Sequence, residues 1–272
     1  MCGDGPLIML LHGFPQFWWT WRHQMTALAD LGFQVAAMDL RGYGGSDHPP
    51  HGYDPLTMAD DVIGVIRGLG ASTATIAGHG WGGVVAWTIG ARAPQLTDGL
   101  IAINAPHPRR LRSALLGNQR QRKAMNYIWS LQAPLWPERT LRSADASRIE
   151  QYLRDWSHSQ DWLTSDVVQT YREAFLRWPT AHTAIESHRW AVRSTYRTDG
   201  RRYMSVMGTP ITSDVLHIYG TRNPLILEST VDGCESFVQG DYQRVNVPTG
   251  HFAHEENPEQ LNTELSTWLT SR

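Results

Sequence analysis

Positive charge is in no surplus: 24 Lys and Arg residues face 26 Asp and Glu across 272 residues, a formal charge of −2 with neutral histidines. That balance excludes the broad basic surface with which a protein holds nucleic acid, and no acidic excess marks a disordered chain. Lysine is nearly gone, with Lys123 alone, so the basic residues are arginines. Cysteine is scarce too. Cys2 and Cys234 cannot build a disulfide framework, which makes a reducing cytoplasm the expected setting. Long apolar runs are missing as well: Pro6–Leu11 is too short for a signal-peptide core or a membrane span, so no membrane partner is expected.

What the chain has in excess is tryptophan, with 12 residues, roughly three times ordinary usage. Around it the apolar pattern alternates. Short buried runs at Leu7–Leu11, Phe33–Leu40, Thr73–Ala77 and Gly99–Asn104 read as strands. The stretches Phe17–Leu31, Leu56–Leu69 and Trp81–Arg92 between them read as helices, a βαβ rhythm that implies a parallel sheet. From about His107 to Met207 the rhythm gives way to an arginine- and tryptophan-rich helical stretch. Strands then resume at Val215–Tyr219 and Gln243–Val247, and a last helix spans Pro258 to Thr270 with Asn257 as its N-cap. The expected organisation is an α/β core in two parts, 1–106 and 208–272, interrupted by a helical cap at 107–207. The acid-free run Arg109, Arg110, Arg112, Arg120, Arg122 and Lys123 reads as a solvated face entering that insertion.

Three motifs fall at strand ends, where open α/β sheets bind ligands: His12-Gly13-Phe14-Pro15, Asp39 to Ser46 (DLRGYGGS), and Gly78-His79-Gly80-Trp81-Gly82-Gly83. The third has the small-x-x-x-small spacing of a nucleophile elbow, a strand–turn–helix that lifts its central residue above the sheet. The backbone N–H groups of Phe14 and Trp81 would then form an oxyanion hole.

With HGFPQFWWTWR (12–22), DLRGYGGSD (39–47), GHGWGG (78–83) and GHFAHEENP (250–258), the chain resembles the α/β-hydrolase superfamily, and within it the epoxide hydrolase and haloalkane dehalogenase branch. The resemblance implies a mostly parallel, eight-stranded α/β-hydrolase fold with an inserted helical cap. Only six residues precede the first run, so the first two strands of that sheet are expected to be missing and Phe33–Leu40 to lie at its edge. The resemblance also implies a nucleophilic Asp at the centre of the elbow, an acid after the seventh strand, and a water-activating histidine. Here Gly80 stands at the nucleophile position and Asn223, in Gly220-Thr221-Arg222-Asn223-Pro224, at the acid position. Asn104, where some dehalogenases carry their acid, is no acid either. His251 alone keeps its role.

Similar enzymes protonate the opening epoxide oxygen with two cap tyrosines. Tyr127 matches the first, and His188, just before Arg189, falls at the second. Trp18 and Trp129 are the expected pocket tryptophans. His12 and His79 read as structural, and His254, Glu255 and Glu256 as surface or supporting groups. The histidines His12, His79, His188, His251 and His254 match no zinc-ligand spacing, so neither metal nor other cofactor is expected.

A covalent ester through residue 80 is chemically impossible. Asn223 could accept a hydrogen bond from the imidazole but brings no negative charge. Three readings follow: a hydrolase of small hydrophobic epoxides or esters in which His251 activates water directly, with Tyr127 or His188 as proton donor; an inactive binding protein with an aromatic pocket; or a non-hydrolytic enzyme, a lyase or cofactor-free oxygenase, using His251 as base.

Overall fold

A computed structural model describes all residues from Met1 to Arg272. Six strands form one sheet: β1 Leu7–Leu11, β2 Gln34–Met38, β3 Ala74–His79, β4 Thr97–Ile103, β5 Asp214–Gly220 and β6 Tyr242–Val247. Their spatial order is β2-β1-β3-β4-β5-β6, and every pair is parallel. β2 lies at the edge, as expected, and Cys2 adds one antiparallel bridge to Val35. The sheet has six strands, as expected for the eight-stranded pattern without its first two.

Alternation along the strands divides the core between two faces. Leu7, Met9 and Leu11 of β1 join the larger apolar cluster, with α2 (Pro55–Gly68), α3 (Trp81–Arg92) and part of the inserted helices. Ile8 and Leu10 point the other way, into a smaller cluster with Trp21, with Leu28 of α1 (Arg22–Asp30), and with Leu261, Leu265 and Trp268 of the last helix, Pro258–Thr270. Helices therefore cover both faces, which is what strands apolar on both sides require.

Between β4 and β5 the chain is helical: α4 Pro108–Gly117, α5 Gln119–Ala124, α6 Tyr127–Ser130, α7 Trp136–Trp156, α8 Ser165–Leu176, α9 Thr180–Thr183, α10 Glu186–Arg193 and α11 Thr198–Val206. α7 is broken in the middle, where Ala144, Asp145 and Ala146 take positive φ. Arg172 braces that break from α8 through the Asp145 carboxylate at 2.7 Å. Between β5 and β6 lies α12 Glu228–Val231, and after β6 come α13 Ala253–Glu256 and α14 Pro258–Thr270.

Element boundaries shift by a residue or two from expectation, as at β3, which runs to His79 rather than Ala77, and two departures have a visible cause. The helix expected over Phe17–Leu31 begins as a tight turn, Trp18–Trp21, and becomes α-helical only at Arg22. β2 stops at Met38 because the Asp39 side chain turns to accept the N–H groups of Trp18 and Gly45, both at 2.8 Å. No helix is long and apolar enough to cross a membrane.

Candidate active site

β3 ends at His79 and α3 starts at Trp81, so Gly80 alone turns the chain. It does so at φ +52 and ψ −115, a conformation costly for any residue with a Cβ. The glycines around it are sterically obligatory. A Cβ at Gly78 would overlap the Gly82 carbonyl, one at Gly82 the Leu11 carbonyl, and one at Gly83 the Ala105 side chain. Position 80 differs: a Cβ there has room, its nearest neighbour being Nε2 of His251 at 3.5 Å. The elbow keeps the frame that aims a side chain at an imidazole, yet supplies none.

His251 sits in the loop between β6 and α13 and is only 6% exposed. Its backbone is held from three sides. The N–H donates to the Trp156 carbonyl at the end of α7 (2.8 Å), while its carbonyl accepts from Asn104 Nδ2 and His79 Nε2, both at 2.8 Å. Glu256 clamps the same loop by accepting the N–H groups of Gly250, His158 and Ser159 at 2.9–3.1 Å. Asn104 thus supports the histidine loop and does not touch the imidazole ring.

The imidazole's partner is Asn223, whose Nδ2 lies 3.2 Å from His251 Nδ1. The orientation of this amide is fixed. Its Oδ1 already accepts the N–H groups of Leu225 (2.9 Å) and Ile226 (3.3 Å), so the NH₂ group faces the ring. Asn223 therefore donates to Nδ1, which must be bare, and the single proton of the neutral ring lies on Nε2. This corrects the expectation that Asn223 accepts from the imidazole. Burial, reinforced by the neighbouring His79 ring, holds His251 well below the ordinary histidine range, so the ring stays neutral. The nitrogen facing Gly80 is consequently a donor and not a base.

Two further donors come from the backbone. The Phe14 N–H has no acceptor among the loop hydrogen bonds, and the Trp81 N–H is the first of the twelve-residue α3, at its electropositive end, where the leading N–H groups have no intrahelical partner.

Tyr127 and His188 come together, the phenol oxygen 3.4 Å from His188 Nε2. The same nitrogen accepts the Trp81 indole N–H at 2.9 Å. Burial pushes His188 down to about 3. It is a neutral acceptor whose Nε2 is already occupied, so the expected imidazole proton donor is not formed. Burial raises Tyr127, which stays a protonated phenol.

The pocket tryptophans are not those expected. Trp18 is 39% and Trp129 57% exposed. Trp129 follows Tyr127 by two residues, and positions two apart on a helix point in nearly opposite directions. The rings packed together beside His251 are instead Phe14, Tyr127, Tyr152, Trp156 and His188, with Tyr127 and Trp156 centroids 4.7 Å apart and Trp156 edge-on to His251 at 5.9 Å. Tyr152 and Trp156, four apart on α7, were missed because α7 is polar overall; their i, i+4 spacing is the signal that points to one face.

His254 and Glu255 are buried rather than superficial. Glu255 takes a bidentate pair from Arg22 (2.7 and 2.8 Å) and hydrogen bonds from Thr20 and the Tyr171 hydroxyl of α8. His254 Nε2 meets Thr20 and Gln16 at 2.6 and 3.0 Å. His12 links strand ends, its Nε2 accepting the Leu40 N–H at 3.0 Å.

Residues 6–258 match the family model described as alpha/beta hydrolase fold. "Epoxide hydrolase 4" of Homo sapiens is 38% identical over 97% of this chain and 72% of its own length. "Epoxide hydrolase 3" of Xenopus tropicalis is 29% identical over 97% and 71%. The crystal structure of a Bacillus megaterium epoxide hydrolase with an inhibitor superposes with TM-score 0.86, at 28% identity, covering 99% of this chain and 95% of that one. The chain therefore belongs to the α/β-hydrolase fold family as an epoxide-hydrolase-like member.

Proposed function

We propose that this epoxide-hydrolase-like chain binds a small apolar molecule through an oxygen acceptor at the Gly80 elbow, and that its site holds such a molecule without opening it by the covalent route. In this reading, residues 1–106 and 208–272 form the core and the helices of 107–207 cap it. The observation that carries the reading is the Asn223 amide on His251 Nδ1. With Gly80 there is no nucleophile. With Nε2 protonated there is no base in the position that faces it. What remains beside residue 80 is a set of donors: the Trp81 N–H next to it in the chain, the Phe14 N–H next to Gly13, and His251 Nε2–H.

Donors aimed at a developing oxyanion are the part of a hydrolytic site that survives loss of the nucleophile. A Bacillus megaterium relative is described with a naphthyloxy-propanediol as its product, which supports an aryl-bearing ligand beside the rings of Phe14, Tyr127, Tyr152 and Trp156. Losing one member of a catalytic unit costs on the order of 10⁶ in rate.

The test is turnover and binding of styrene oxide by the protein as it stands, by His251→Ala, and by the pair Gly80→Asp with Asn223→Asp. Binding without turnover, and hydrolysis gained in the double variant, are expected. Hydrolysis by the unaltered chain that disappears in His251→Ala would show that His251 works as a base on water, and would overturn this reading.

A further inference from the structure

The side chain of residue 80 would meet His251 Nε2 at 3.5 Å and the Gly13 Cα at 3.7 Å, which sets the Phe14 N–H, the Trp81 N–H and the imidazole beside one point. The Phe14 N–H has no acceptor among the loop hydrogen bonds, and the Trp81 N–H, first in α3, has no intrahelical partner. His251 Nε2 has no partner either, although the residue is 6% exposed. The acids nearby are already engaged: Glu255 by Arg22, Thr20 and Tyr171, and Glu256 by backbone N–H groups of the histidine loop and of residues 158 and 159. Asp39 is consumed by the N–H groups of Trp18 and Gly45.

Three donors set beside one point describe the complementary ligand. An epoxide or ether oxygen has two lone pairs and can satisfy two of them at most. A carboxylate has about four acceptor positions on two oxygens, and hydrogen bonds to it are roughly twice as strong as neutral ones. The end of α3 adds a favourable field for negative charge. Leaving buried donors unpaired is what a ligand without enough lone pairs would have to accept.

We propose that this elbow is a carboxylate-binding site, seating the acid group of a small aromatic or apolar carboxylic acid where the side chain of residue 80 would otherwise lie. One oxygen takes the Phe14 and Trp81 N–H groups, and the other takes His251 Nε2–H. The remainder of the acid lies against the rings of Phe14, Tyr127 and Trp156. Asn223 is the positioning residue: by donating to Nδ1 it forces the His251 proton onto Nε2, where the anion needs it. An acid at position 223 would draw the proton to Nδ1 and turn a bare nitrogen toward the ligand.

The inference rests on the binding reading above and narrows it to one ligand class. Its test is titration calorimetry of the full chain with benzoate and, at matched size and neutral charge, benzamide. Benzoate is expected to bind at least tenfold more tightly than benzamide. Asn223→Asp is expected to remove that preference while keeping benzamide binding, and Gly80→Asp, whose own carboxylate fills the site, to abolish benzoate binding. Circular dichroism of each variant separates loss of binding from loss of fold. Benzamide bound as tightly as benzoate overturns the carboxylate assignment and leaves the binding reading standing. Benzoate binding indifferent to both substitutions places the acid elsewhere and overturns it too. Failure of both ligands with styrene oxide still bound overturns the carboxylate assignment alone, and failure of all three overturns both.

Discussion

Lowering the pH from 7 to 5 should cost this protein much of its stability, through histidines rather than carboxylates. Burial pushes His79, His107, His188 and His217 down to about 3. In the unfolded chain each titrates near 6.5. The folded value is the lower one, so the unfolded state binds more protons as pH falls. The stability these groups protect is complete above about 6.5 and drains away between 6.5 and 3. At pH 5 each has lost roughly 1.5 pH units of that difference, or about 2 kcal/mol. Four together withdraw on the order of 8 kcal/mol, as much as a typical domain's whole stability of about 5–15 kcal/mol. His12, His251 and His254 are shifted in the same direction and add to the loss. Urea unfolding followed by tryptophan fluorescence at the two pH values measures it. With a urea slope of about 3 kcal/mol/M the midpoint should fall by roughly 2–3 M. A midpoint that moves by less than about 0.5 M would mean that these rings titrate near their ordinary value and are hydrated in the folded state.

Two other perturbations follow from the same geometry. Gly78→Ala drives a Cβ into the Gly82 carbonyl and should cost more than about 3 kcal/mol, whereas Gly80→Ala makes only ordinary van der Waals contacts and should cost only the roughly 1–3 kcal/mol of its backbone conformation; urea midpoints at pH 7 compare the two. Arg22→Ala leaves the fully buried Glu255 carboxylate without its cation and should lose about 3–5 kcal/mol, and Glu255→Leu added to Arg22→Leu should lose clearly less. Equal losses in those two variants would show that the pair is not the source of the penalty.

The fold was legible in the sequence because its signals are local and steric. The elbow glycines announce themselves, since a Cβ at Gly78, Gly82 or Gly83 has nowhere to go. The apolar strand runs found their places in the parallel sheet for the same reason: they are buried on both faces. The outward rotation of Trp18 and Trp129 was not legible, because it depends on the phase of two short helical turns and not on composition. Nor was the burial of His254 and Glu255, since charged and polar side chains belong at the surface unless an unseen partner such as Arg22 or Tyr171 meets them. The orientation of Asn223 lay between these cases. An asparagine ahead of a proline is a turn former whose oxygen captures N–H groups a few residues on, and here those of Leu225 and Ile226 decide which end of the amide meets the histidine.

The proton on His251 is therefore the feature on which the site's character turns. Long-range proton–nitrogen NMR correlation on protein labelled with nitrogen-15 at histidine distinguishes a protonated ring nitrogen from a bare one. A neutral His251 with its proton on Nε2 and a bare Nδ1 at pH 7, switching to a proton on Nδ1 in Asn223→Asp, is the result required by the hydrogen bonds around Asn223. A proton on Nδ1 in the unaltered chain would contradict the account, because Nε2 would then be a base turned toward Gly80.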